Sequence, residues 1–240
     1  MSRELNAIIT GASSGIGKAI ALAIASVGGS LCLIGRDKKR LEQVAQASRA
    51  AARRTLVFPA DLSADHAVED LARYVKQNFN SADTLVHCAG AHTVGSFEKI
   101  SVDVLDRLYR LNLRMPYALT QALLPLLKSQ KGQIVFVNSS QGLQARAKAS
   151  AFASTQHALK AVADGLRQEI NAEGIRVLSV FPGRTATPRT KALFENEGQA
   201  YRPELLLQPE DVAQIILNAL QLPRTAEVTN IEVRPLAKSY

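Results

Sequence analysis

The chain has 240 residues, 47% of them hydrophobic, and a formal net charge of +8. A chain of this length buries a substantial core, and α/β proteins of this size commonly form one domain. Charges at positions 3 and 4 precede a short apolar run, which is the pattern of neither a signal peptide nor a membrane-spanning helix. We therefore expect one domain over residues 1–240, in a cytoplasmic protein that does not enter a membrane.

The cysteines and the basic clusters narrow the classes of ligand. Cys32 and Cys88 lie in apolar runs and have no partners at metal-ligand spacing, so we expect reduced core thiols and no metal. Basic residues cluster at 36–40 and 49–54, either as a solvated helix face or as a site for an anionic partner. No aromatic residues interleave with these charges, which argues against nucleic acid and favours a nucleotide phosphate.

The order of elements predicts the fold. The predicted strands are "NAIIT", "SLCLIG", "TLVFP", "DTLVHCAG", "QIVFVNSS", "IRVLSVFPG" and "EVTNIEVRP". The predicted helices span 17–29, 38–51, 66–79, 101–129, 150–174 and 209–221. This alternation predicts a Rossmann-type doubly wound α/β fold, in which helices flank a seven-stranded parallel sheet on both faces. Residues 184–209 are predicted to be irregular and to form a lid over the carboxyl ends of the strands, where such sheets bind ligands.

Glycines at the first strand-to-helix turn indicate a nucleotide site. In "TGASSGIG" the absent side chains of Gly11, Gly15 and Gly17 let backbone and a helix N-terminus approach a pyrophosphate, although a tight turn alone would also use glycine. Gly35 ends the second strand where NAD-specific proteins usually carry an acid, and Arg36 follows it. An arginine can fork onto a 2′-phosphate. We therefore expect NADP(H) rather than NAD(H). Asp61 is positioned to accept from the adenine amino group or to cap a helix.

Several further segments match one family. The chain resembles the short-chain dehydrogenase/reductase family through "TGASSGIG", "HCAG", "LNL", "VNSS" and "FPGRTATP", in order and at similar intervals, from Ile8 to about Val233. With the residues discussed above, the resemblance implies a nicotinamide nucleotide held by Gly11, Ser13, Ser14, Gly15, Ile16, Gly17, Arg36, Asp61, Leu62, Ala89, Gly90, Gln156, Pro182, Gly183, Thr185 and Thr187.

The resemblance also implies roles for three polar residues. Asn112 would hold backbone or a water relay, Ser139 would polarise a substrate oxygen, and Thr187 would help to seat the nicotinamide amide. Each has a structural alternative, because Asn112 could satisfy buried backbone, Ser139 could end a strand and Thr187 could belong to a turn.

The family's proton donor and ribose clamp are missing. In the family a tyrosine delivers the proton, and a lysine four residues later binds the nicotinamide ribose and lowers the tyrosine pKa. Those positions are Phe152 and Gln156 here, so the resemblance implies lost chemistry and weakened nucleotide binding. Natural loss and deliberate mutation of an active enzyme fit the sequence equally. Losing a positioned acid or base typically costs ~10²–10⁴ in rate, or about 3–5 kcal/mol of barrier.

Nearby residues do not replace the pair. His157 points about 100° away from the face of Phe152 and Gln156, and Lys160 lies roughly 6 Å further along the helix. Tyr201 is in the predicted lid. Ser154 and Thr155 are helix-interior hydroxyls, which usually bond to the preceding turn.

Three hypotheses remain. The first is a non-catalytic NADP(H)-binding protein, and the second is an NADP-dependent carbonyl reductase or alcohol dehydrogenase that delivers protons through Ser139 and water. The third is a protein–protein or nucleic-acid module that uses the basic surface. The resemblance also implies a homodimer or homotetramer through helices 101–129 and 151–173. Leu105, Leu108, Leu119, Leu123, Ala158, Val162 and Leu166 fit that interface or the protein's own core.

Overall fold

One parallel sheet organises the protein. The structure is a computed structural model that describes residues 4–64 and 66–237. Its strands are β1 Asn6–Thr10, β2 Ser30–Gly35, β3 Arg54–Pro59, β4 Thr84–His87, β5 Gln133–Val137, β6 Arg176–Pro182 and β7 Asn230–Val233. They lie in the order β3-β2-β1-β4-β5-β6-β7, and every pairing between them is parallel. The predicted seven-stranded, Rossmann-like single-domain fold is confirmed.

Helices cover both faces of the sheet. They are α1 Gly15–Ser26, α2 Lys38–Ser48, α3 Ala67–Asn78, α4 Val102–Tyr109, α5 Met115–Ser129, α6 Ser150–Ile170, α7 Pro188–Asn196 and α8 Pro209–Gln221. One apolar core lies between the sheet and α1, α2 and α8, and the other lies between the sheet and α3, α5 and α6. Because both faces are covered, the central strands are continuous apolar runs, and β2, β4 and β6 are buried almost throughout.

The sequence analysis predicts that residues 184–209 are irregular. The structure corrects this, because the stretch contains α7 and a 3₁₀ turn at Pro203–Leu205. The Thr187 side chain accepts from the Thr190 N–H, and Pro188 occupies the first turn of α7. Both residues are local helix-start signals, since threonine caps free N–H groups and proline has no N–H to satisfy. The apolar face of α7 is too short to give a clear helical period in the sequence.

The predicted helix 101–129 is interrupted by a π-helical turn, Arg110–Arg114, which joins α4 to α5. Leu108, Leu119 and Leu123 are fully buried in their own subunit. For these three leucines the structure shows the second expected alternative, burial in the protein's own core. Exposed apolar side chains on this segment are Val102, Leu105, Tyr109 and Tyr117. No helix within the described residues is both long enough and apolar enough to span a membrane.

The sheet order positions the site. β1 pairs with β2 on one side and with β4 on the other, so chain connections run in opposite directions from this point. Such a reversal opens a crevice at the carboxyl ends of the strands, between the loops that follow β1 and β4. Residues 11–17 and 88–92 follow these two strands and meet there.

Candidate active site

A cleft of about 1220 Å³ lies at the carboxyl ends of the strands. Every residue that the sequence analysis assigns to cofactor binding lines this cleft, except Gln156. Ser139 and Phe152 also line it, whereas Asn112 and Gln156 line an adjoining cavity of about 50 Å³ that Phe152 shares. The topology thus brings together residues that are up to 176 positions apart in the chain, from Gly11 to Thr187.

The glycine turn is packed so tightly that side chains do not fit. Gly11 has a φ of +69°, and a Cβ atom on it would lie 2.8 Å from the Ala89 backbone nitrogen. A Cβ atom on Gly17 would lie 2.4 Å from the Gly11 carbonyl oxygen. The Thr10 Oγ1 accepts from the Cys88 and Ala89 N–H groups at 3.0 and 3.1 Å, which joins the ends of β1 and β4. This cradle fits the backbone approach that a nucleotide pyrophosphate needs.

The N-terminus of α1 faces the cradle. Its first turn has no acidic residue, and the Ser14 side chain makes no capping hydrogen bond. The N–H groups of this first turn and the helix dipole favour an anion there.

Arg36 and Asp61 line the cleft after β2 and β3. Asp61 Oδ1 accepts from the Ser63 hydroxyl at 2.7 Å and from the Ser63 N–H at 3.0 Å. These hydrogen bonds hold the pKa of Asp61 below its ordinary value, and Arg36 adds a smaller effect in the same direction. Asp61 therefore belongs to a turn with Ser63, and its carboxylate is ionised near the Arg36 guanidinium.

A side-chain network holds Ser139 against α6. Asn138 Oδ1 accepts from the Ser139 N–H at 2.7 Å, and Asn138 Nδ2 donates to the Gln156 carbonyl oxygen at 2.9 Å. Ser139 Oγ accepts from the Gln141 N–H at 3.2 Å, so Ser139 also caps a 3₁₀ turn at the end of β5. Asn138 is a positioning residue that the sequence analysis did not single out.

Asn112 makes a similar link from the π-helical turn. Its Oδ1 accepts from the Ala91 N–H at 2.7 Å, and its Nδ2 donates to the Ala91 carbonyl at 2.9 Å and to Thr155 Oγ1 at 3.1 Å. The side chain thus ties the loop after β4 to α6 and satisfies buried backbone groups. The backbone role expected for Asn112 is what its contacts show.

Phe152 lines both the large cleft and the small adjoining cavity. Its side chain is buried, and its ring packs at a 57° tilt on the His92 imidazole, with centroids 4.3 Å apart. Burial, with smaller contributions from the charges of Arg189 and Arg184, lowers the pKa of His92 from 6.5 to about 4. The His92 imidazole is therefore neutral at physiological pH and offers no charged acid next to Phe152.

The other side chains weighed as replacements are engaged elsewhere. His157 Nδ1 lies 3.0 Å from the Ala153 carbonyl on the exposed side of α6, and Lys160 pairs with Asp164 at 2.6 Å. Ser154 and Thr155 donate to carbonyls one turn back, as expected for helix-interior hydroxyls. Tyr201 packs edge-on against Phe194 of α7, with centroids 5.8 Å apart.

Sequence reasoning missed two arginines that follow β6. Arg184 stacks on the Phe194 ring at 4.9 Å and lies 3.9 Å from Glu197, and Arg189 Nη2 donates to the Gly90 carbonyl at 2.7 Å. Both belong to "FPGRTATPR", where their place directly after the strand was a usable signal. His92 carried no such signal, because its contact with Phe152 joins residues far apart in the chain.

Comparison with known proteins identifies the chain. A family model described as "short chain dehydrogenase" matches residues 5–198. The chain belongs to the short-chain dehydrogenase family. An uncharacterized oxidoreductase of Staphylococcus epidermidis is 30% identical over 235 residues, which is 98% of both chains.

Solved structures agree with this family assignment. An alcohol dehydrogenase from the archaeon Thermococcus sibiricus, complexed with 5-hydroxy-NADP, superposes with a TM-score of 0.88 at 25% identity. The match covers 99% of this chain and 100% of the archaeal one. L-Sorbose reductase from Gluconobacter frateurii, complexed with NADPH and L-sorbose, has the same fold, with a TM-score of 0.87 at 24% identity over 97% of each chain. These two proteins of the same fold are thus both complexes with NADP-type nucleotides. Within the described residues, no cluster of His, Cys, Asp or Glu side chains could hold a metal ion.

Proposed function

We propose that the protein is an NADP(H)-binding short-chain dehydrogenase whose catalysis is absent or severely impaired. Phe152 and Gln156 stand at the positions of the family's tyrosine and lysine. The observation that carries the proposal is the buried Phe152 ring, which lines the same cleft as Ser139. A phenyl ring has no proton to deliver, and a neutral glutamine cannot stabilise a phenolate.

A bound nicotinamide would supply the hydride, and the chain would have to manage the proton. Ser139 Oγ can donate its hydroxyl to a substrate oxygen, because its one described hydrogen bond is accepted from the Gln141 N–H. His92 is neutral and its ring is packed on Phe152. The site therefore retains a group that polarises a substrate oxygen but lacks a positioned acid of suitable pKa.

Arg36 supports NADP(H) over NAD(H). It lines the cleft directly after Gly35, where no carboxylate side chain is present to hydrogen-bond a free 2′-hydroxyl. A guanidinium can instead make two charge-assisted hydrogen bonds to a 2′-phosphate. Asp61 and Leu62 line the same end of the cleft, as expected for residues around an adenosine.

Calorimetric titration of the purified protein tests the nucleotide site. We expect NADPH to bind more tightly than NADH, and we expect Arg36→Ala to remove that preference while leaving NADH affinity within about twofold. Equal affinity of the parent protein for both nucleotides would contradict the assignment of NADP(H), and no binding of either would refute the proposed function.

Reversion of both altered positions tests the catalytic part. The double variant Phe152→Tyr, Gln156→Lys should reduce members of a broad carbonyl panel at least about 10²-fold faster than the parent. Nicotinamide oxidation at 340 nm is the measurement, and Phe152→Leu, Gln156→Met is the matched inactive control. Equal rates for the reverted and control proteins would show that loss at these two positions does not explain the inactivity.

The second candidate function is an active NADP-dependent reductase in which Ser139 and water deliver the proton. The half-buried Ser139 side chain favours it, because it lines the cleft and its described hydrogen bond is one that its oxygen accepts. It requires parent turnover that Ser139→Ala removes, and parent turnover unaffected by Ser139→Ala would exclude it.

A further inference from the structure

Arg189 extends across the nucleotide cleft from α7. Two residues before it, the Thr187 methyl group lies so close to Gly15 that a Cβ atom there would be 3.0 Å away. From this side of the cleft, Arg189 Nη2 reaches the Gly90 carbonyl in the loop after β4, at 2.7 Å. The guanidinium therefore lies against the loop after β4 and lines the same cleft as the glycine turn.

No carboxylate pairs with Arg189 among the described residues, whose ion pairs include none to this side chain. Burial lowers its pKa, Cys88 opposes that shift, and the nearby charge of Arg36 adds to it. Arginine nevertheless stays protonated in proteins, so a cation without a counter-ion lies in the cleft. Phosphate and ribose oxygens are acceptors that satisfy such a group well.

The same side chain borders the cavity of Gln156. The described lining of that 50 Å³ cavity includes Phe152, Gln156 and Arg189. Gln156 is neutral, and burial lowers the pKa of His87, which also lines the cavity, to about 3. Arg189 is therefore the side chain that brings positive charge to this end of the cleft, within the part of the chain that the structure describes.

We propose that Arg189 is a nucleotide-binding residue whose guanidinium contacts the ribose–pyrophosphate segment of the dinucleotide near its nicotinamide end. It supplies the cation that position 156 lacks. This inference rests on the proposed function, since it concerns the same nucleotide site. α7 would then bind nucleotide through Arg189 as well as cover the cleft.

The test is a double-variant cycle on NADPH affinity, read by calorimetry. Arg189→Gln should weaken NADPH binding about tenfold to hundredfold, as expected for the loss of charge-assisted hydrogen bonds. Arg146→Gln is the matched control, because Arg146 also lines the cleft but lies in the loop after β5. Its effect should stay within about threefold.

Gln156→Lys completes the cycle. If the two positions serve one electrostatic role, the lysine should recover most of the affinity lost in Arg189→Gln and change the parent protein much less. A purely structural role of Arg189 would give no such recovery. Circular dichroism and thermal unfolding check each variant, and Arg189→Met, which keeps the apolar stem, takes the place of Arg189→Gln if the latter does not fold.

The outcomes separate this inference from the proposed function. NADPH binding by the parent with unchanged affinity in Arg189→Gln, or with no recovery by Gln156→Lys, would overturn the role of Arg189 and leave the nucleotide site standing. Failure of the parent protein to bind any nicotinamide nucleotide would overturn both.

Discussion

Gly11 and Gly28 have similar backbone angles, but the energetic cost of replacing each by alanine depends on its surroundings. Both have positive φ angles, +69° and +79°, but a Cβ atom would meet backbone at Gly11 and nothing within 4 Å at Gly28. We expect Gly28→Ala to lower the free energy of unfolding by about 1–2 kcal/mol. Gly11→Ala should lower it further and abolish NADPH binding, as measured by urea unfolding and calorimetry. Similar losses of stability in the two variants would show that the contact with Ala89 is unimportant.

His87 links stability to pH. It is buried, stacks on Phe136 and has Nε2 2.8 Å from Thr120 Oγ1, and burial lowers its pKa from 6.5 to about 3. Between these two values the unfolded chain binds the proton that the folded protein excludes, so the free energy of unfolding rises with pH over this window. The stabilisation from His87 is complete above about pH 6.5 and is lost as the pH falls toward 3.

We therefore predict that the free energy of unfolding rises less steeply with pH in His87→Gln than in the parent protein. Urea unfolding at pH 4, 5 and 6.5 measures it, and the difference should accumulate to several kcal/mol over the full window, an order-of-magnitude figure. His157→Gln, on the exposed side of α6, should keep the parent slope. Parallel slopes for all three proteins would contradict the role of His87.

At the level of single residues, sequence reasoning located groups whose function depends on local pattern. Gly11 and Ser139 lie just after strands and Gly17 lies in the first turn of the helix after β1, and parallel topology gathers such positions at one edge. Sequence reasoning could not predict the stacking of His92 on Phe152 or the hydrogen bond from Arg189 to the Gly90 carbonyl. These contacts depend on side-chain direction across the cleft, which neither periodicity nor spacing encodes.

At the level of elements, α7 depends on one hydroxyl at its start. The Thr187 side chain accepts from the Thr190 N–H, and the two threonine hydroxyls lie 3.0 Å apart. Thr187→Val keeps the methyl contact with Gly15 but removes the cap, which should cost about 1 kcal/mol. Hydrogen exchange should then quicken in residues 188–196.

Thr190→Val is the control for that prediction. It removes the hydroxyl pair but keeps the backbone N–H that Thr187 caps, so exchange in 188–196 should change little. Equal protection in the Thr187→Val protein and the parent would show that packing against the cleft, rather than the cap, holds α7.

Most strands were predictable to within a few residues because a sheet covered on both faces requires continuous apolar runs. α8 matches its predicted bounds because its Pro209 start and amphipathic face are both local. The π-helical turn at Arg110–Arg114 was not predictable, since an apolar period continues through it and its stabilising Asn112 contacts are with the distant Ala91 and Thr155.

At the level of the whole molecule, α4 and α5 expose an apolar surface, which we define as Val102, Leu105, Tyr109 and Tyr117. We predict that this surface forms the subunit interface. Leu105→Glu should shift the parent oligomer toward monomer in sedimentation velocity, because an ionised side chain in an apolar interface is costly. Val27→Glu, at an exposed site after α1, is the control and should sediment like the parent. A monomeric parent protein would refute the prediction.

The pairing of β1 with β4 has a consequence for how the protein is made. Ile8 pairs with Leu85, so the centre of the sheet joins segments that are 77 positions apart in the chain. Closing such a long loop slows folding. During synthesis β1, β2 and β3 emerge and can pair first, leaving the inner edge of β1 open. The wall opposite Gly11 arrives with Ala89, and the cleft gains Arg189 only after about four-fifths of the chain has been translated. Until β4 emerges, a nascent chain lacks the second wall of the cleft and must protect the open edge of β1.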